Sequence, residues 1–192
     1  MEGTMNKQPD ITDATREAFV EAFCTLTLKY PERKITIKEI TDLAGYNRTT
    51  FYRYFCDTVA VVEYIEDCII DELMEKLKNR GKRGKFYDMY FQIIMEIVHN
   101  NEKQARVVTH ENYRAHWIDK LIERQLPVWQ QLYHVQELSG SARFTALIYF
   151  SGIFSAIGAW LNDPAAITEE ELFHIIRQLA EKWFGPQLLQ FE

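Results

Sequence analysis

The sequence predicts an all-α protein in which a small N-terminal three-helix unit precedes a larger helical unit. Three observations predict it. Apolar residues recur at three- and four-residue spacing along nearly the whole chain. β-Branched clusters are short and hairpin dipeptides are absent. Cap and stop residues stand at the ends of the periodic runs. A chain of 192 residues, 47% hydrophobic and 14% aromatic, buries roughly 70% of its unfolded surface in one or two cores without disulfides.

Taken in order, residues 1–10 (MEGTMNKQPD) are polar, lack the apolar run of a secretory leader and read as a flexible arm. Residues 11–57 form the first domain and 58–192 the second. The first helix runs from Asp13, a cap, to about Lys29, with Ala18, Phe19, Ala22, Phe23 and Leu26 on one face, and stops before Pro31. Thr36 and Glu39 stand at capping-box spacing, so a second helix begins there, its apolar face supplied by Ile37, Ile40 and Leu43. It ends near Ala44 and Gly45, because glycine takes the left-handed conformation of a tight turn. Asn47 then caps a third helix at about Arg48. Phe51 and Phe55, four apart, face inward and leave Arg48, Thr49, Arg53 and part of Tyr52 outside.

Asp57 caps a long fourth helix through Val61, Val62, Ile65, Ile69, Leu73 and Leu77. Gly81 and Gly84 in NRGKRGK (79–85) end it, and the basic residues around them read as a solvated loop. Further helices are predicted over Tyr87–Val98, near Ala105–His110 and over Tyr113–Val135, the last kinked at Pro127. Residues 144–162 carry no charge and approach the length of a membrane span. They contain Thr145, Tyr149, Ser151, Ser155 and Asn162 and lack a flanking basic cluster, so the expectation is no membrane helix but one buried on every side. Gly152, Ser155, Ala156 and Ala159 permit close approach of another helix. With Ile175, Leu179 and Trp183 of the amphipathic last helix, they predict a twofold interface made of two helices from each subunit of a homodimer.

The second and third helices, joined by a turn of about three residues, have helix-turn-helix spacing. Between Gly45 and Phe55 there is no acid, and five residues carry hydroxyls: Tyr46, Thr49, Thr50, Tyr52 and Tyr54. That composition suits phosphate oxygens and base edges in a DNA major groove. The formal net charge of −6 is unevenly spread. From Lys29 to Tyr54 six bases face three acids, whereas Leu161 to Glu192 carries six acids and two bases. The acidity therefore sits apart from the candidate DNA face.

The run from about Thr15 to Val61 resembles the DNA-binding domain of the TetR family of bacterial transcriptional regulators. The matching elements are REAFVEAFCTL, ITIKEI, AGYNRTTFYRYF and the acid Asp57, in order and at the family's spacing. The segment GAWLNDPAAITEEEL looks like the end of the C-terminal domain in a Firmicutes-type subgroup. The resemblance implies a cytoplasmic homodimer on a palindromic double-stranded DNA operator, a repressor released by a small-molecule inducer, with no cofactor. Carried onto this chain, Arg48, Thr49 and Arg53 would read bases, and Thr36, Lys38, Asn47, Thr50, Tyr52 and Tyr54 would hold phosphates. An effector pocket would draw on Tyr87, Tyr90, Phe91, Tyr113, Trp117, Trp129 and Tyr133. One departure stands out: the family usually has a lysine after the acid, and here the residue is Thr58. One cation fewer makes the salt dependence shallower by roughly one unit per half-site. The alternative is a helix-turn-helix-fold protein-interaction regulator with lost or weakened DNA binding.

For an enzyme, a nucleophile beside a base, paired carboxylates or a phosphate-cradling loop would be expected, and none stands out. His110, Glu111 and His116 do not give the one-face spacing of a helical zinc pair. Cys24, Cys56 and Cys68 read as reduced thiols, with Cys56 a small packing residue.

Overall fold

A computed structural model describes residues 9–79, 86–133 and 140–184. Every regular element among them is a helix: α1 (Pro9–Lys29), α2 (Ile37–Ala44), α3 (Arg48–Phe51), α4 (Thr58–Asn79), α5 (Phe86–Asn100), α6 (Glu102–Thr109), α7 (Arg114–Tyr133), α8 (Gly140–Asn162) and α9 (Glu169–Phe184). The chain divides into two compact units, Met1–Ile65 and Glu66–Glu192. The start of α4 thus belongs to the first unit, past the expected boundary at residue 57, because Val61, Val62 and Ile65 are buried there.

In the first unit α1 packs on α2 and α2 on α3. Phe19, Phe23, Ile40 and Phe51 are all at 1% exposure or less and form the centre of this core. Helix α1 starts earlier than Asp13, at Pro9. Proline suits a first turn, whose N–H groups have no helical partner and whose φ it already holds. Asp13 therefore lies inside the helix, where its carboxylate meets Arg16 at 3.2 Å. Leu43 is also misplaced by periodicity alone, being 53% exposed. The short helix buries Ile40 and Thr41, and a residue three beyond Ile40 falls on the flank opposite Thr41.

In the second unit α8 packs against α6, α7 and α9, while α5 packs against α6 and α9. Gly158 makes the α6–α8 approach possible: a Cβ there would lie 3.0 Å from Thr109 Cβ and 3.2 Å from its carbonyl oxygen. Helix α9 opens on a capping box that mirrors that of α2, with Thr168 N donating to Glu171 Oε2 at 2.8 Å and Glu171 N to Thr168 Oγ1 at 3.2 Å. Pro127 lies within α7, which continues to Tyr133. The glycines of the basic loop and Val135 fall outside the described residues.

The expectation that the uncharged helix is buried all round is corrected. Phe144 is 66% and Ile148 56% exposed, because α6, α7 and α9 cover only part of the circumference of α8. By length and composition Arg143–Asn162 would suffice to cross a membrane. The helix instead turns Phe150, Phe154, Ile157 and Leu161 into the core of the second unit.

Candidate nucleic-acid interface

Two local devices fix the geometry of the helix-turn-helix. Thr36 and Glu39 form a reciprocal capping box at the start of α2: Glu39 N donates to Thr36 Oγ1 at 3.3 Å, and Thr36 N donates to the Glu39 carboxylate at 3.0 Å. At the other end Gly45 adopts φ 75°, and Tyr46 N donates back to Thr41 O at 3.0 Å. Asn47 then caps α3, its Oδ1 accepting from Thr50 N at 2.8 Å and from Thr50 Oγ1 at 3.1 Å. Beyond Phe51 the chain tightens into turns, with Arg53 N on Thr50 O and Tyr54 N on Phe51 O, before Phe55 N returns to Phe51 O at 3.0 Å. Phe51 meets Phe19 edge-on at 5.2 Å between centroids and so seats the reading segment on α1, while Phe55 lies 5.6 Å from Phe51 and 5.8 Å from Tyr64 of α4. Asp57 Oδ1 accepts from Ala60 N and caps α4.

These constraints sort the nine candidate DNA residues into two groups. Arg48, Thr49, Tyr52 and Arg53 are exposed on one continuous segment, and Lys38 is exposed on α2. Of the other four, Thr36, Asn47 and Thr50 have polar side-chain atoms bonded within the motif, and Tyr54 lays its ring against the protein. Thr36 Oγ1 donates to Glu39 at 2.7 Å and Thr50 Oγ1 to Asn47. The Tyr54 ring is half-buried, 6.1 Å from Phe19 and beneath the Arg16 guanidinium at 5.7 Å. Thr36, Asn47 and Thr50 therefore shape the motif first: the single O–H donors of Thr36 and Thr50 are taken up by Glu39 and Asn47, and the side-chain NH2 of Asn47 is the donor left over.

Arg33 was invisible to periodicity. It binds Glu39 through two nitrogens, at 2.6 and 3.2 Å, and its guanidinium lies 4.4 Å from the centroid of Tyr30. Arg33 first, and then the backbone and hydroxyl of Thr36, hold the Glu39 carboxyl down to about 2. The charge of the acid at the start of α2 is thereby matched by Arg33. Because the folded carboxyl is depressed, its stabilisation is present above the unfolded carboxylate range and fades as pH falls towards about 2. The stability difference between the wild type and Glu39→Gln, read by urea unfolding, is expected to be constant above about pH 5 and to shrink between about pH 4 and pH 2. A difference that persists unchanged at pH 2 would contradict this role.

Cys56 is exposed, not packed; Phe55 takes the inward position beside it. No group of three His, Cys, Asp or Glu positioned for a metal occurs among the described residues. His116 Nδ1 instead lies 3.0 Å from both carboxylate oxygens of the buried Glu66.

In the second unit the candidate effector residues do not all converge. Phe91 stacks on Phe173 at 4.8 Å and joins α5 to α9. Tyr113 is half-buried beside His110. Tyr90 and Trp117 are buried, whereas the side chains of Tyr87, Trp129 and Tyr133 fall outside those described. A cavity of about 20 Å³ is lined by Trp117 together with Ile69, Leu73, Val108, Phe154 and Ile157, among others. Of the candidate interface residues, Gly152, Ala159, Ile175 and Leu179 are exposed and Ser155 and Ala156 half-buried; the Trp183 side chain is outside the described set.

This arrangement, a three-helix head with a helix-turn-helix and a larger helical unit, is the fold of TetR-type regulators. No protein-family model matches the chain, and no curated protein matches it. Among solved structures it is similar to a protein of Syntrophomonas wolfei described as a TetR-family transcriptional regulator, with a TM-score of 0.67 and 14% identity over 91% of this chain and 97% of that one. It is also similar to a TetR transcriptional regulator of Streptococcus agalactiae, with a TM-score of 0.62 and 17% identity over 88% and 95%.

Proposed function

We propose that the chain is a cytoplasmic, homodimeric transcriptional regulator of TetR type, a repressor whose grip on a palindromic operator is released by a small molecule. The observation that carries this reading is the exposed, acid-free run of Arg48, Thr49, Tyr52 and Arg53, held out by the Asn47 cap and the Phe51 anchor. Arginine offers a planar fork of donors to guanine, and hydroxyls bond either bases or phosphates. Arg48, Thr49 and Arg53 read base edges; Lys38 and Tyr52, with the Asn47 amide NH2 and the Tyr54 hydroxyl, hold the backbone, and Thr36 and Thr50 join them by turning their hydroxyls from Glu39 and Asn47 to phosphate. Two heads are needed for a twofold operator. Helices α8 and α9 pack on each other, and both leave large apolar side chains outward, Phe144 and Ile148 on one and Ile175 and Leu179 on the other. Burying them against a second copy is the simplest way to satisfy them.

Selection from a random DNA pool, followed by titration of the selected site, tests the reading. Arg48→Ala is expected to relax preference at one or two base pairs and to cost about 1 to 3 kcal/mol on the selected site. Equal weakening on every sequence would move Arg48 to the phosphate set. The second reading, a regulator that acts through a protein partner, is favoured by the uncharged Thr58 at the start of α4. Absence of DNA binding even at low salt would decide for it.

A further inference from the structure

Buried polar atoms in folded proteins nearly always have a partner, yet two side-chain donors on α7 have none among the described residues. They are Trp117 Nε1 and Gln125 Nε2, on residues 2% and 0% exposed. Eight residues apart on one helix, they share a face and lie roughly 12 Å apart along its axis. The carbonyl end of Gln125 is already used, since Tyr90 Oη donates to Oε1 at 3.0 Å. Burial pushes the Tyr90 phenol up, so it stays a protonated donor. Between the two vacancies runs a row of rings: Tyr90 against Phe150 at 5.9 Å, Phe150 against Phe154 at 6.3 Å, and Phe154 edge-on to Trp117 at 4.1 Å. The small cavity lies at the Trp117 end, and no charged residue lines it.

We propose that this aromatic row is the binding site for a neutral, mainly apolar small molecule whose acceptor oxygen takes the indole N–H of Trp117. Ketones, esters, lactones and aryl ethers have that chemistry. Both vacancies are donors, so the ligand must accept. A charged ligand would enter an apolar site without a counter-ion, since the buried Glu66 carboxylate is already matched by His116 and Lys120. The cavity of about 20 Å³ has room for little more than one water. Occupancy by a ring therefore parts the helices around it. This gives the effector of the proposed function its chemistry, and it rests on that reading only for the consequence at the operator.

Three probes of similar size separate the possibilities: acetophenone, ethylbenzene and benzoate. Binding to the full-length protein is followed on the ¹⁵N–¹H indole resonances, with Trp117 assigned by its loss in Trp117→Phe. Acetophenone is expected to shift the Trp117 resonance downfield and to bind about tenfold tighter than ethylbenzene, with benzoate excluded. In Trp117→Phe the preference for the ketone should vanish while ethylbenzene still binds. If that variant does not fold, Trp117 is assigned as the indole resonance that survives in each of Trp129→Phe, Trp160→Phe and Trp183→Phe, and the wild-type ratio and shift carry the test. Equal affinity for ketone and hydrocarbon, or an unmoved Trp117 resonance, overturns the site. Acetophenone binding at Trp117 without any change in operator affinity leaves the site standing and sinks release by ligand. Release by benzoate with Trp117 unmoved does the reverse.

Discussion

Replacing Phe51 with alanine is expected to unfold the first unit under conditions where the second remains folded, and to abolish DNA binding. Phe51 is fully buried and touches Phe19, Tyr52 and Phe55 ring to ring. Truncating such a residue costs about 3 to 5 kcal/mol in lost transfer energy and cavity. A unit the size of residues 1–65 is held by a core that supplies no more than about that much. The head has no disulfide among its described residues to offset the loss, since Cys24 and Cys56 are free thiols. Amide hydrogen exchange should therefore lose protection across α1 to α3 while α7 and α8 keep theirs. Unchanged protection in α2 would show that the ring cluster is not what seats the reading segment. The substitution removes no group offered to DNA, so lost binding would measure the scaffold. Arg48→Ala, by contrast, reads the contact itself.

The parts of the head that were legible in the sequence are those decided within a few residues. The Thr36–Glu39 box, the left-handed Gly45 and the Asn47 cap are side-chain and backbone pairings over three or four positions, and all three form as the spacing predicts. What the sequence did not reveal depends on partners far along the chain. The Tyr54 ring packs against Phe19 and beneath Arg16, more than thirty residues upstream, a placement that nothing near Tyr54 in the chain announces. Leu43 and Phe144 looked like core residues because they are apolar, but burial is set by which neighbours arrive, and they leave Leu43 53% and Phe144 66% exposed. The capping residues carry a further lesson. The polarity that suggested DNA contact in Thr36, Asn47 and Thr50 is partly consumed in building the motif, a use that composition cannot separate from recognition. The same box, formed by Thr168 and Glu171, opens α9.

In the second unit a large loss is expected at Lys120, and the reason lies in its partner. Glu66 is a fully buried carboxylate with Lys120 Nζ at 3.5 Å and His116 Nδ1 at 3.0 Å from its oxygens, and Lys120 also meets Asp67 at 2.9 Å. One turn further on, Arg124 pairs with Asp71, so α4 and α7 are joined by ions at regular helical spacing. Removing one member of a buried pair strands the other, at about 3 to 5 kcal/mol. Lys120→Met should fall at the low end of that range, because the lysine is 22% exposed and His116 remains. The stranded carboxylate, and not the missing ammonium, is the source of the cost. Adding Glu66→Met to Lys120→Met should therefore recover most of the lost stability: methionine is unbranched and fills the glutamate's space, His116 is 61% exposed and can turn to water, and Asp67 is 45% exposed. A double-mutant cycle read by denaturant midpoints is expected to give strong coupling, with the double variant more stable than Lys120→Met alone. Additive losses would mean that Lys120 stabilises through its own packing, and that Glu66 draws its compensation from His116.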